Sequence, residues 1–100
     1  MTRKLVIRPD AEADLDSLYD YIARDSPRNA VEFTRRIRAM CAELTIFPER
    51  GTLRDDLEPG LRLLGFERRA VILFRVLRNE VEVIRVLYGG RELERLFAKE

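Results

Sequence analysis

The chain has 100 residues, 46% of them apolar and 37% charged, with a net charge of +1. That suffices for one core and one domain over residues 1–100, and it is too apolar for a disordered chain. It lacks the ~18-residue apolar run of a membrane span. The N-terminal MTRKLVIRPDAEADL contains no apolar stretch long enough for a secretory signal, so a cytoplasmic location is expected. Histidine is absent, which excludes Ser-His-Asp and Cys-His catalysis and disfavours a zinc site. No cofactor or metal is expected. The single cysteine, Cys41, falls in an apolar helical pattern and reads as a buried thiol. Residues 1–60 carry ten basic and twelve acidic side chains, and residues 61–100 carry nine basic and six acidic. The second part is therefore mildly cationic and Arg-rich. The whole chain remains short of the pI above ~9 of a dedicated nucleic-acid binder, and no sequence-specific DNA binding is expected.

Lys4 to Arg8 (KLVIR) is β-rich and stops at Pro9. Asp10 reads as an N-cap, with Glu12 and Asp14 in the first turn, where the helix dipole favours acids. Ala11, Leu15, Leu18 and Ile22 recur at four, three and four, one face of a helix to about Arg24. Ser26-Pro27 starts a second helix, a capping hydroxyl followed by proline at the first helical position. Ala30, Phe33, Ile37, Cys41 and Leu44 extend it to about Ile46, with Arg35, Arg36 and Arg38 outside. So short a connection predicts an antiparallel helical hairpin, acidic helix beside basic helix.

Residues 48–60 form a polar loop. Leu61 to Phe66 reads as a strand with Gly65 at an expected bulge, and Ala70 to Leu77 as a strong strand. Arg78-Asn79-Glu80 reads as a tight turn with Asn79 at positive φ. Val81 to Leu87 is the last strand, Gly89-Gly90 breaks it, and Arg91 to Lys99 is expected to form a short helix or tail. The order is β-α-α-β-β-β, class α+β, with Leu15, Leu18, Ile22, Phe33, Ile37, Leu44, Ile72, Phe74, Ile84 and Val86 as the expected core.

Taken in order, these segments resemble a known family. Ala11-Glu12-Ala13-Asp14-Leu15 through Leu18, Tyr19, Tyr21 and Ile22 is similar to the first helix of ParE-type toxins. Ala30, Phe33, Ile37 and Leu44 are similar to the second. Phe47-Pro48-Glu49-Arg50-Gly51 resembles the family's "FPxxG" loop and Pro59-Gly60-Leu61-Arg62 its "GxR" strand start. Phe74-Arg75-Val76 and Val83-Ile84-Arg85-Val86-Leu87 resemble its "YRV" and "IxRVLH" strands. No single piece is specific; the ordered set, covering nearly the whole chain, is. The sequence departs at Tyr88, where His is frequent, and at Phe74, where Tyr is frequent.

The resemblance to the ParE/RelE superfamily implies a RelE-like fold, a twisted antiparallel sheet with the helical hairpin on one face. It also implies a cognate ParD-like antitoxin in a hetero-oligomer, and growth arrest by one of two routes. ParE-type members poison DNA gyrase; RelE-type members cut messenger RNA on the ribosome. Only Lys4 and Lys99 are lysines, fewer than ribosome-dependent nucleases tend to carry, which favours the gyrase branch, a toxin that is not an enzyme; a non-toxic protein-interaction domain is the further alternative.

A metal-independent nuclease would need a base, an acid and cations on the phosphate. Arg62, Arg69 and Tyr88 are the positional matches to such a set, with Arg68 a further cation and Glu67 or Glu49 a base. The plainer reading has Arg62 binding a loop carbonyl or carboxylate, Arg68 and Arg69 solvated in a turn, and Tyr88 in the core. Target contact is otherwise expected from Arg62, Arg68, Arg69, Arg91 and Arg95.

Strand parity points to the antitoxin. Ile72, Phe74, Val76, Ile84 and Val86 fit under the helices. The opposite phase, with Leu73, Arg75, Val83, Arg85 and Leu87, is also apolar but carries two arginines. An apolar sheet face with embedded Arg reads as a partner site, with partner carboxylates expected on Arg75 and Arg85. The competing expectation is that residues 91–100 cover that face.

Overall fold

The computed structural model describes residues 2–88. Two helices lie on a five-stranded sheet: β1 (Lys4–Ile7), α1 (Pro9–Ala23), α2 (Pro27–Glu43), β2 (Thr52–Leu53), β3 (Leu61–Phe66), β4 (Ala70–Val76) and β5 (Glu80–Tyr88). The spatial order is β1-β5-β4-β3-β2. β5, β4, β3 and β2 are antiparallel neighbours, but β1 runs parallel to β5, with Lys4 opposite Glu80 and Ile7 opposite Val83. The sheet is therefore mixed rather than wholly antiparallel. The loop expected over 48–60 contributes the additional two-residue strand β2.

Local chemistry explains the helices. Pro9 opens α1 from Arg8 in an extended conformation; no side chain caps it, so Asp10 lies in the first turn rather than at the cap. Ser26 caps α2 as its sequence suggests, its hydroxyl accepting the Asn29 N–H at 3.2 Å. α2 ends at Glu43, three residues early, where the Thr45 and Ile46 N–H groups close onto carbonyls three residues back, those of Ala42 and Glu43, and tighten the last turn. The expected acid–base seam between the helices exists: Arg38 donates both NH groups to the Glu12 carboxylate at 3.2 and 2.8 Å. That pair holds the Glu12 carboxyl below its usual range.

The main core lies between hairpin and sheet. Leu15, Leu18, Phe33, Ile37, Cys41 and Leu44 meet Ile72, Phe74, Val81, Val83 and Val86, with Ile22 packed at the margin. Cys41 is fully buried, and burial pushes its thiol up to about 11. The other sheet face has its own smaller cluster, Leu61, Leu73 and Leu87, against which Leu57, Leu63, Val71 and Ile84 pack.

β5 departs from simple alternation. Leu73 faces Arg85 but Phe74 faces Val83, so Ile84 is an inserted residue. A bulge shifts the phase of everything beyond it by one. Val81 and Val83 consequently point under the helices and Ile84 points away, the reverse of the expectation from uniform alternation. Gly65 holds no bulge: β3 and β4 stay in register through the Gly65–Val71 pair. Nor does Asn79 take positive φ; among the described residues other than glycine, Glu67 at 52° and Arg68 at 60° do.

Candidate functional site

The two arginines that define the expected partner face both have intramolecular carboxylates. Arg75 ion-pairs with Glu58, from the loop before β3, and approaches Glu82 at 3.7 Å. Its Nε also donates to the Pro59 carbonyl at 3.5 Å. Arg85 donates Nε and NH2 to Asp14 of α1 at 2.7 and 2.9 Å. The same Asp14 oxygen that takes Nε accepts the Val86 N–H at 2.9 Å. β1 ends at Ile7, so Asp14 satisfies an edge N–H of β5 where β1 no longer covers it. The requirement for carboxylates from outside is thus met within the chain. Val83 is fully buried on the helix side and leaves the expected partner face, whereas Leu73 and Leu87 do occupy it, packed among their neighbours. Arg91, Arg95 and the expected C-terminal helix lie outside the described residues.

The nuclease candidates separate into two places. Arg62 sits near the start of β3 and donates NH1 to the Arg50 carbonyl at 3.3 Å, the plainer role. Tyr88 pairs across from Ala70, beside Arg69 at the other end of the sheet. Arg69 and Tyr88 line one groove; Arg62 is not part of it. Glu49 is exposed in the loop after α2, and Glu67 is held by Arg36 through Nε and NH2 at 2.7 and 2.8 Å. Arg36 keeps the Glu67 carboxyl below the usual carboxylate range, the wrong direction for a base at neutral pH. Among the described residues no cluster of His, Cys, Asp or Glu could hold a metal ion.

The groove containing Arg69 and Tyr88 has a volume of about 530 Å³ and lies between the α1–α2 turn, the first half of α2 and the β3–β4 turn. Tyr21 and Tyr88 pack their rings at 5.5 Å along one wall. Phe33 forms the floor, edge-on to Phe66 at 5.6 Å. The guanidinium groups of Arg36 and Arg69 stand 5.5 and 5.8 Å from the Phe33 ring centre. Asp25 and Glu32 line the same groove.

The β3–β4 turn places Arg69 there. The Arg69 N–H closes onto the Phe66 carbonyl at 3.1 Å with Glu67 and Arg68 both left-handed, a type I′ turn without the usual Asn or Gly. Each such residue costs on the order of 1–2 kcal/mol. The Arg36–Glu67 chelate restrains the turn from α2. No turn-forming residue signals this geometry in the sequence, and the pairs that complete the groove join residues more than thirty apart, so sequence reasoning misses the groove as a unit.

A further conformational requirement sits in the Phe47–Gly51 loop. Gly51 has φ +73°, and a Cβ on it would collide with the Leu63 carbonyl oxygen. The last residue of the "FPxxG" stretch is thus glycine because backbone crosses backbone there. Arg50 anchors the loop on Glu43 at 3.1 Å and over the Phe47 ring at 5.8 Å, while Ile46 and Phe47 stay more than half exposed.

A helical hairpin packed on one face of a mixed, largely antiparallel sheet, with a second apolar cluster behind it, is an α+β domain of the RelE-like kind. Residues 5–93 match the family model described as ParE toxin of type II toxin-antitoxin system, parDE. The chain is 31% identical over 101 residues to Toxin ParE3 of Caulobacter vibrioides, spanning 100% of this chain and 99% of that protein. It also superposes on a chain from a structure described as the chromosomal ParDE TA system from P. aeruginosa. The TM-score there is 0.75 at 26% identity, over 89% of this chain and 98% of that one. The chain belongs to the ParE toxin family of type II toxin–antitoxin systems.

Proposed function

We propose that this ParE-family chain is a cytoplasmic toxin that inhibits DNA gyrase and is neutralised by a ParD-like antitoxin. The observation that carries the reading is the match to the ParE family over nearly the whole chain. The dispersal of Arg62 from Arg69 and Tyr88 supports gyrase over the ribosome-dependent nuclease alternative, because the three residues that match the nuclease set do not meet in one place. No described helix is long and apolar enough to cross a membrane.

In this reading the antitoxin covers the sheet face centred on Leu73 and Leu87, with Ile84, Val71 and Leu63 around them and Arg75 at its margin. Leu73 and Leu87 are themselves buried, and the support is the apolar character of the half-buried Leu63, Val71 and Ile84 around them. Arg85 contributes at the edge, beside Asp14. Target contact falls to Arg68 and Arg69 at the hairpin tip, with Arg91 and Arg95 outside the described residues.

Expression without a partner in bacteria tests the activity. The expected outcome is growth arrest with filamentation and DNA damage while translation continues, and loss of supercoiling by purified gyrase. Messenger RNA cut at codon boundaries with gyrase untouched would establish the nuclease instead. For the antitoxin face, Ile84→Asp and Arg75→Ala should both weaken antitoxin binding in calorimetry; unchanged affinity in both would move the contact elsewhere.

A further inference from the structure

The groove beside Phe33 carries a charge pattern of which the proposed target contact uses Arg69 alone and the proposed antitoxin face uses nothing. Both signs of charge line it. Arg36 and Arg69 supply one, Asp25 and Glu32 the other, and Tyr21, Tyr88 and Phe33 add an aromatic surface. Arg36 is committed to Glu67. Among the described residues Arg69 forms no ion pair or hydrogen bond through its guanidinium; Glu67 feels its charge without bonding to it, and the group stands 5.8 Å from the Phe33 ring centre. A guanidinium set against an aromatic ring keeps its planar fork of N–H donors directed outward, the arrangement that takes a carboxylate with two parallel hydrogen bonds.

We propose that this groove receives an amphipathic helical segment of a protein partner. The segment carries an acidic side chain for Arg69 and, one helical turn away, a basic side chain for Asp25 and Glu32. Acid and base at i and i+4 are neighbours on a helix surface, so one short helix face supplies both charges. Apolar side chains between them rest on Tyr21, a residue 55% exposed, and on Tyr88. The charge pattern selects against nucleic acid. A phosphate backbone would bring uniform negative charge onto Asp25 and Glu32 as well as onto Arg69, and the chain's net charge of +1 offers no wider attraction. A small free anion would leave the aromatic wall unused. This contact shares Arg69 with the gyrase reading but goes beyond it and does not depend on which enzyme is poisoned.

The test is titration of the isotope-labelled full-length protein, followed by NMR, with a synthetic amphipathic helical peptide that bears Glu and Lys one turn apart around leucines. A second peptide replaces the Glu by Gln, a third exchanges the two charges, and a single-stranded DNA oligonucleotide is the nucleic-acid arm. The expected result is shifts confined to Arg69, Phe33, Tyr21 and Tyr88 with the first peptide. Affinity should fall about tenfold with the Gln peptide, and by a similar factor when Arg69→Gln meets the first peptide. Arg69 is exposed, so that variant should melt as the parent does, and Arg68→Gln, one residue away, should bind normally. The proposal is overturned by equal binding of the three peptides, by absence of binding, by unchanged affinity in a folded Arg69→Gln protein, or by tighter binding of the oligonucleotide at the same residues. Growth arrest by the unmodified chain is scored separately, so a failed titration leaves the toxin reading standing, and the reverse.

Discussion

Asp14 and Arg85 lie 71 positions apart and tie α1 to the sheet through two guanidinium hydrogen bonds of 2.7 and 2.9 Å, with one oxygen shared by the Val86 N–H. The Asp14 and Arg85 side chains are 15% and 27% exposed, so water screens them only in part. Removing the carboxylate takes two hydrogen bonds from Arg85 and one from the Val86 N–H. Asp14→Ala should therefore lose about 2–3 kcal/mol in urea denaturation. Arg85→Met, which keeps the aliphatic stem, should lose less. A double variant no worse than Asp14→Ala would show that the two residues act as one unit; full additivity would refute the coupling.

Gly51 has little room for a side chain. Its positive φ and the Leu63 carbonyl in the path of any Cβ both oppose substitution, and the obstacle is backbone rather than a movable side chain. Gly51→Ala should cost on the order of 2–4 kcal/mol. A drop in melting temperature should report it, and an unchanged melting temperature would mean that the loop crosses β3 differently.

The opposite sign is expected at Arg68. Its φ of 60° suits glycine, and its side chain forms no ion pair among the described residues. Arg68→Gly should raise stability by about 1 kcal/mol. Stabilisation with retained growth arrest would show that the strain serves no toxic function. Stabilisation with loss of arrest would place Arg68 in target contact.

The Arg36–Glu67 pair makes a pH prediction. The folded Glu67 carboxyl is held below its ordinary range by Arg36. A depressed folded value means that the pair contributes above the unfolded pKa and fades as pH falls through the folded one. Carboxyl NMR titration should find the Glu67 midpoint below that of an unpaired glutamate in the parent, and raised in Arg36→Gln. The amide signals of Glu67 and Arg68 should shift over the same acid window. Identical Glu67 midpoints in parent and variant would refute the pairing.

Periodic features are legible in the sequence. Leu15, Leu18, Phe33 and Ile37 announce two helices and their buried faces, Ser26 announces a cap, and Ile72 and Phe74 announce the core side of β4. Features made by tertiary contact are not. The bulge at Ile84 carries no Gly or Pro to mark it, and it alone exchanges Val83 and Ile84 between faces. The I′ turn at Glu67-Arg68 lacks the Asn or Gly that usually marks one. Arg75 and Arg85 show that carboxylates are needed, but Glu58, Glu82 and Asp14 can be matched to them only once the strands are in register. The groove around Arg69 combines three segments that no short motif joins.

The parallel pairing of β1 with β5 sets the order in which the molecule can be completed. Lys4 meets Glu80 across 76 positions, and among the described residues β1 has no other neighbour in the sheet. On a chain made from its N-terminus, β1 must wait for β5, while the helical hairpin and the β3–β4 hairpin can form from local contacts. Until residue 88 is free to pair, Asp14 has no Arg85, the second wall of the Tyr21 groove is missing and both sheet faces are unfinished. A partially synthesised chain is in this sense unarmed, because the surfaces proposed to meet other proteins come into being only with β5.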